Sequence, residues 1–204
     1  MFKPTMNTVA TAALSAALLL GSPTLQALGQ NGRYAIKGAG SQSCESYTHA
    51  RQADSPQVYM YIGWFQGWLS NENRHATETF DLASWQHTAT LMAALDQYCR
   101  RNPKSLFVSA SEVLIKAMRP SRLQKDSRLI AAKTEGRSLA VYSEVLRRLQ
   151  LRLRDQGLLK TRISGRFDEA TSEAITSYQL QEAIPINGLP DQIVLQMLVH
   201  DEKP

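Results

Sequence analysis

The chain has 204 residues, with 23 Lys and Arg against 18 Asp and Glu, a formal charge of +5. Its hydrophobic fraction of 43% and charged fraction of 20% exclude a disordered tail and a polytopic membrane protein. The length holds one large domain or two small ones, and the basic balance raises nucleic acid as a partner until the charge is located.

Residues 1–27 read as an export signal. Lys3 supplies the positive start, Val9 to Leu20 is an uncharged apolar run, and Gly21-Ser22-Pro23 breaks it. Such a run is shorter than the roughly 20 residues a helix needs to cross a bilayer, but it suits a signal core. Cleavage is expected near Ala27; the alternative is an uncleaved amino-terminal anchor. No later stretch reads as a transmembrane segment, so the mature chain is expected in a bacterial periplasm. In that oxidising compartment Cys44 and Cys99 are most simply one disulfide. The rival is a Cys44 nucleophile with His49 as base, and no other cysteine-hydrolase motif accompanies it.

Residues 28–118 read as a small disulfide-pinned helical domain. Ser43 can cap a short helix carrying Cys44, Tyr47 and Ala50. Ser55-Pro56 starts a second helix, with Val58, Tyr61, Ile62, Phe65 and Leu69 at helical spacing and Trp64 and Trp68 on a flanking stripe. That stripe is either interhelix packing or a client-binding surface. Gly63 and Gly67 leave room for a neighbouring helix to approach. Asp81 or Ser84 can start a third helix with Trp85, Thr88, Met92, Leu95 and Cys99 on one face, ended by Asn102-Pro103. A fourth carries Leu106, Ala110, Val113, Leu114 and Ala117 and stops at Pro120. His75 and His87 lack metal-ligand spacing. With Cys44, the stretch Tyr61 to Asn73 and the segment Tyr98 to Pro103, this half resembles the HdeA/HdeB-like group of small periplasmic helical proteins, which includes acid-stress chaperones and Tai-like immunity proteins. The resemblance implies a protein client.

Residues 119–140 read as a basic linker. They hold Arg119, Arg122, Lys125, Arg128, Lys133 and Arg137 against Asp126 and Glu135, whereas the flanking segments 28–118 and 141–204 carry +1 and −1. A charge excess confined to a joint is not a nucleic-acid-binding face.

Residues 141–204 contain an internal repeat. Ile163-Ser164-Gly165-Arg166-Phe167-Asp168 recurs 23 residues later as Ile186-Asn187-Gly188-Leu189-Pro190-Asp191. In each copy an apolar residue enters a Gly turn and Asp can cap the helix that follows. Those helices show Ala170, Ala174, Ile175 and Tyr178, then Ile193, Val194, Met197 and Leu198. A helix with Leu146, Leu149 and Leu153 precedes both, with Gly157 as its stop.

Leu149-Gln150, Gly157-Leu158, Gly165-Arg166-Phe167 with Thr171, Ala174-Ile175, Tyr178-Gln179, Ile186-Asn187-Gly188, and Leu195 with Leu198 stand in the order of a three-helix peptidoglycan-binding domain, which this half resembles. Ser164 and Asn187 replace the usual turn aspartates, and Asp168 a usual Gly. The resemblance implies peptidoglycan as partner and Arg162, Ser164, Arg166, Asp168, Gln179 and Asn187 as the polar groups nearest a wall fragment, with either Arg suited to a stem-peptide carboxylate.

The chain shows no zinc spacing, Gly-flanked Ser elbow or Cys/His transpeptidase signature. The fold expected is all-α: two small helical domains joined by a basic linker after a signal peptide. The function expected is a non-catalytic exported protein that binds peptidoglycan and tethers its amino-terminal domain at the wall, without cofactor, metal or nucleic acid. The alternatives are a wall-localised chaperone or immunity-type inhibitor, and a divergent cell-wall hydrolase.

Overall fold

The computed structural model describes residues 34–199, so the expected export signal and cleavage near Ala27 lie outside the described residues. Four helices come first: α1 (Cys44–Gln52), α2 (Val58–His75), α3 (Thr88–Arg101) and α4 (Phe107–Met118). A hairpin of β1 (Leu129–Thr134) and β2 (Arg137–Tyr142) follows, then α5 (Ser143–Asp155), α6 (Glu169–Gln181) and α7 (Gln192–Leu198).

The start of α1 follows the capping rule: the Ser43 hydroxyl accepts the Ser46 N–H at 3.2 Å. Cys44 in its first turn is bonded to Cys99 in the last turn of α3, with both residues buried. Tyr47, Tyr61 and Phe107 bring α1, α2 and α4 together, with ring centroids 4.8–5.1 Å apart in tilted or edge-on pairs. The Tyr47 hydroxyl, inside that cluster, donates to the Met92 carbonyl at 2.8 Å. Trp64 and Trp68 stack at 5.3 Å, and the Trp64 indole N–H donates to the Lys37 carbonyl at 2.7 Å, so the stripe packs against the chain's own turn at Gly38–Ser41. Gly63 and Gly67 face open space rather than a neighbouring helix.

Two further expectations about the amino-terminal half are corrected. The buried residues of α4 are Phe107, Val108, Ala110, Ser111, Ile115 and Met118, while Leu106 and Val113 are 40% and 49% exposed. Phe107 takes the place in the aromatic cluster and rotates the helix by one residue. The buried Ser111 hydroxyl is satisfied by donating to the Phe107 carbonyl at 2.9 Å. Helix α3 starts at Thr88, not at Asp81 or Ser84. The Asp81 carboxylate accepts the Ala83 N–H and Asn73 accepts the Leu82 N–H, both at 2.9 Å, which holds this stretch in a turn.

Trp85 therefore lies ahead of α3, 5% exposed, in the hydrophobic cluster of the carboxy-terminal half. That cluster contains Leu123, Ala132, Val141, Val145, Leu149, Leu153, Ile175, Tyr178, Val194 and Leu198. The seam carries backbone bonds as well. Leu123 donates to the Asp81 carbonyl at 2.8 Å and accepts from Phe80 at 2.7 Å, and the His87 N–H donates to the Gln192 side-chain oxygen at 2.6 Å.

The segment 119–140, expected as a linker in an all-helical chain, carries regular structure. It begins with a 3-10 turn at Arg119–Ser121 and continues into the hairpin. The antiparallel register pairs Ile130 with Val141, Ala132 with Leu139 and Thr134 with Arg137, leaving Glu135-Gly136 as a two-residue turn. One face of the ribbon places Ala132 and Val141 in the core; the other leaves Leu129, Ala131 and Lys133 exposed. Packing on the core gives this two-stranded ribbon the support it lacks alone. The protein is mostly helical with one small sheet among the described residues.

Candidate wall-binding face of the C-terminal unit

Helices α5, α6 and α7 are joined by two turns built to the same plan. The Gln150 side chain reaches from α5 into the first. Its oxygen accepts the N–H groups of Ser164 and Gly165, both at 2.9 Å, and its amide donates to the Arg166 carbonyl and the Thr171 hydroxyl, both at 2.9 Å. The Gln179 side chain reaches from α6 into the second. Its oxygen accepts from Asn187 and Gly188, both at 2.9 Å, and its amide donates to the Asn187 side-chain oxygen at 2.9 Å. Both glutamines are buried. A buried amide with every polar atom engaged fixes a loop at little desolvation cost.

Each turn is clamped again from the helix start. The Ser143 hydroxyl donates to the Gly165 carbonyl at 2.8 Å, and the Ser172 hydroxyl to the Gly188 carbonyl at 3.0 Å. Gly165 and Gly188 have φ of 68° and 63°, and a Cβ on either would lie 2.6 Å from that serine oxygen. Glycine is thus required twice over, by dihedral and by space. Asp168 then caps α6 by accepting the Thr171 N–H at 2.9 Å, and Asp191 caps α7 by accepting those of Ile193 and Val194 at 3.0 and 3.1 Å.

The six residues expected near a wall fragment fall into two sets. Ser164, Arg166 and Asp168 share the first turn with Arg162 just ahead of it; Gln179 and Asn187 build the second. Asn187 is committed to the fold: its side chain accepts from Leu189 at 2.8 Å and donates to Asp191 at 2.7 Å. The Ser164 hydroxyl accepts the Arg166 N–H at 3.2 Å. Gln179 is wholly buried and holds the second turn. Arg162 and Arg166 are exposed, and neither forms an ion pair among the described residues. They are exposed cations on this face, with the exposed Asp168 carboxylate in the same turn. Arg147 joins them from α5, exposed, donating to the Ile163 carbonyl at 3.3 Å.

Sequence reasoning missed the roles of Gln150, Ser143, Ser172 and Arg147. The signal for the first three was present: Ser143 and Gln150 are seven apart, and so are Ser172 and Gln179. Tyr178 is core, its hydroxyl pKa pushed up by burial and secondarily by Glu182. Among the described residues no group of three His, Cys, Asp or Glu is placed to hold a metal ion.

Residues 143–198 match the family model described as "Putative peptidoglycan binding domain". The match starts at the first residue of α5 and ends at the last of α7. No curated protein and no solved structure matches the chain.

Proposed function

We propose that this is a non-catalytic exported protein that binds peptidoglycan through α5–α7 and holds its amino-terminal helices at the cell wall. The observation that carries the reading is the family match over residues 143–198. The turn architecture supports it, because a ligand would meet a face whose loops are already fixed, at little ordering cost. Arg162 and Arg166 supply cations that suit stem-peptide carboxylates. The Cys44–Cys99 disulfide favours a compartment outside the cytoplasm, in keeping with the signal read at residues 1–27 and a periplasmic address. In this reading the HdeA/HdeB-like half is what the wall unit positions, and a protein client is its partner.

The test is co-sedimentation of the mature full-length chain with purified sacculi, beside the variant Arg162→Ala/Arg166→Ala. Wild-type protein is expected in the pellet, with the variant bound about tenfold more weakly, the scale of one or two charge-assisted contacts. Wild-type protein that stays in the supernatant overturns the wall reading. Release of soluble muropeptides during the incubation overturns its non-catalytic part.

A further inference from the structure

The basic segment that precedes the matched unit lines a second concave surface. A cleft of about 710 Å³ lies between residues 120–128 and the start of α5, with Arg122, Lys125, Arg128 and Arg148 as its cations and Asp126 and Glu144 as its carboxylates. Its wall is tied to the helix: the Ser143 N–H donates to the Arg128 carbonyl at 2.8 Å, and the Glu144 N–H to the Ser127 hydroxyl at 3.0 Å.

Two of the cations are held in place by backbone carbonyls, Arg148 beside the Glu144 carboxylate as well. The Arg148 guanidinium donates to the Ser121 and Arg122 carbonyls at 2.7 and 3.2 Å, and Arg122 donates to the carbonyls of Glu78 and Arg119 at 3.1 and 2.8 Å. Carbonyls fix the position of a guanidinium without cancelling its charge. Arg122, Lys125 and Arg128 form no ion pair among the described residues, and Lys125 and Arg128 are exposed. Glu144 already faces Arg147 at 3.6 Å and Arg148 at 3.9 Å. The cleft thus presents uncompensated positive charge on a prearranged frame, with Asp126 as one exposed negative point beside it.

We propose that this cleft binds the carboxylates of peptidoglycan stem peptides, as a second contact beside the turn-lined face. The inference rests on the wall-binding reading above. Concavity and mixed charge favour a peptide, whose carboxylates meet the cations while Asp126 faces its amide or amine groups. A lipid surface is better met by a flat, uniformly basic patch. The cleft also adjoins Ser143, where the matched segment begins, so one wall strand can reach both sites.

The test compares the mature full-length protein with Lys125→Glu/Arg128→Glu, and with Lys125→Arg as the charge-conserving control. Both positions are exposed, and circular dichroism checks that the fold is kept. Each protein is titrated with glycan-free stem peptides released from sacculi, with intact sacculi, and with vesicles containing anionic phosphatidylglycerol, at low and at physiological salt. The charge-reversed protein is expected to bind stem peptides and sacculi about tenfold more weakly at low salt, with the gap narrowing as salt screens it. Lys125→Arg should bind like wild type. Sacculus binding by wild type with no loss in the reversed protein overturns this inference and leaves the wall reading standing. No sacculus binding by any form overturns both. Binding to anionic vesicles without binding to stem peptides overturns it in favour of a membrane contact.

Discussion

Gln150 and Gln179 stand 29 residues apart and make the same pair of bonds: each side-chain oxygen accepts two consecutive backbone N–H groups, from Ser164-Gly165 and from Asn187-Gly188, all at 2.9 Å. The repeat visible in the turns is therefore also a repeat in the helices that hold them. Ser143 and Ser172, likewise 29 apart, complete it. Each helix carries the clamp for the turn beyond its own end.

Gln150→Ala should destabilise the protein by about 2–4 kcal/mol, because the buried Gly165 N–H and the half-buried Ser164 N–H lose their acceptor and the Thr171 hydroxyl and Arg166 carbonyl lose a donor. Urea denaturation measures the loss. Hydrogen exchange should rise at Ser164 and Gly165 before it rises in the helices.

Two glycines separate dihedral from space. Gly157 has φ of 75° with nothing near its missing Cβ, so Gly157→Ala should cost about 1 kcal/mol. Gly165 has a similar φ, but a Cβ there meets the Ser143 hydroxyl and carbonyl at 2.6 and 2.8 Å. Gly165→Ala should cost about 2–4 kcal/mol, the dihedral penalty plus displacement of α5. Equal losses in parallel denaturation curves would refute the distinction.

The disulfide closes a long loop, with a sequence separation of 55. On the chain-entropy model, replacing both cysteines by Ala should lower stability by about 4 kcal/mol. The α1·α3 contact should loosen first, which fluorescence or amide exchange at Tyr47 and Met92 can follow. Unchanged stability would place the hold of α1 in the aromatic cluster alone.

Burial raises the Tyr47 hydroxyl pKa to about 12 against an ordinary 10, with the Arg51 bond and charge pulling weakly the other way. The folded state thus keeps the proton that the unfolded chain releases first. The stabilisation is fully present below pH 10 and is lost as pH rises from 10 through 12, by about 2–3 kcal/mol in all. Tyr47→Phe should flatten that alkaline slope, while costing about 1 kcal/mol at neutral pH for the bond to the Met92 carbonyl. Stability curves from pH 8 to 12 for both proteins are the check.

Legibility in the sequence tracks how local the cause is. The turns of the carboxy-terminal unit are spelled by Gly165, Asp168, Gly188 and Asp191, whose constraints act within a few residues. The Ser43 cap and the stop at Asn102-Pro103 are local in the same way. Trp85 was not legible, because spacing places it in phase with Thr88 and Met92, and only the side-chain bonds of Asp81 and Asn73 show that the helix has not yet begun. The face of α4 was offset because the helix is apolar on most sides, and two phases of the stripe fit nearly equally until Phe107 meets Tyr47 and Tyr61. In residues 119–140 the dense basic charge masks a short alternation: Ile130 and Ala132 facing Leu139 and Val141 across Glu135-Gly136 is a strand pattern. Gln179 reads as a polar group near a ligand because its own neighbours do not mark the amide as buried; only the matching seven-residue spacing of Ser143 with Gln150 and Ser172 with Gln179 points to a shared clamp.

A free tether of 22 residues would let its two ends wander over about 25 Å. The seam at Trp85 and Leu123 removes that freedom. Wherever α5–α7 are anchored, the disulfide-pinned helices follow at one distance and one angle, as a bracket holds a shelf. Force applied to one half is transmitted through packed side chains to the other rather than absorbed by slack. A cut at residue 140 would strip the cover from Trp85 and Leu123, so the halves are better studied by point substitution than by truncation.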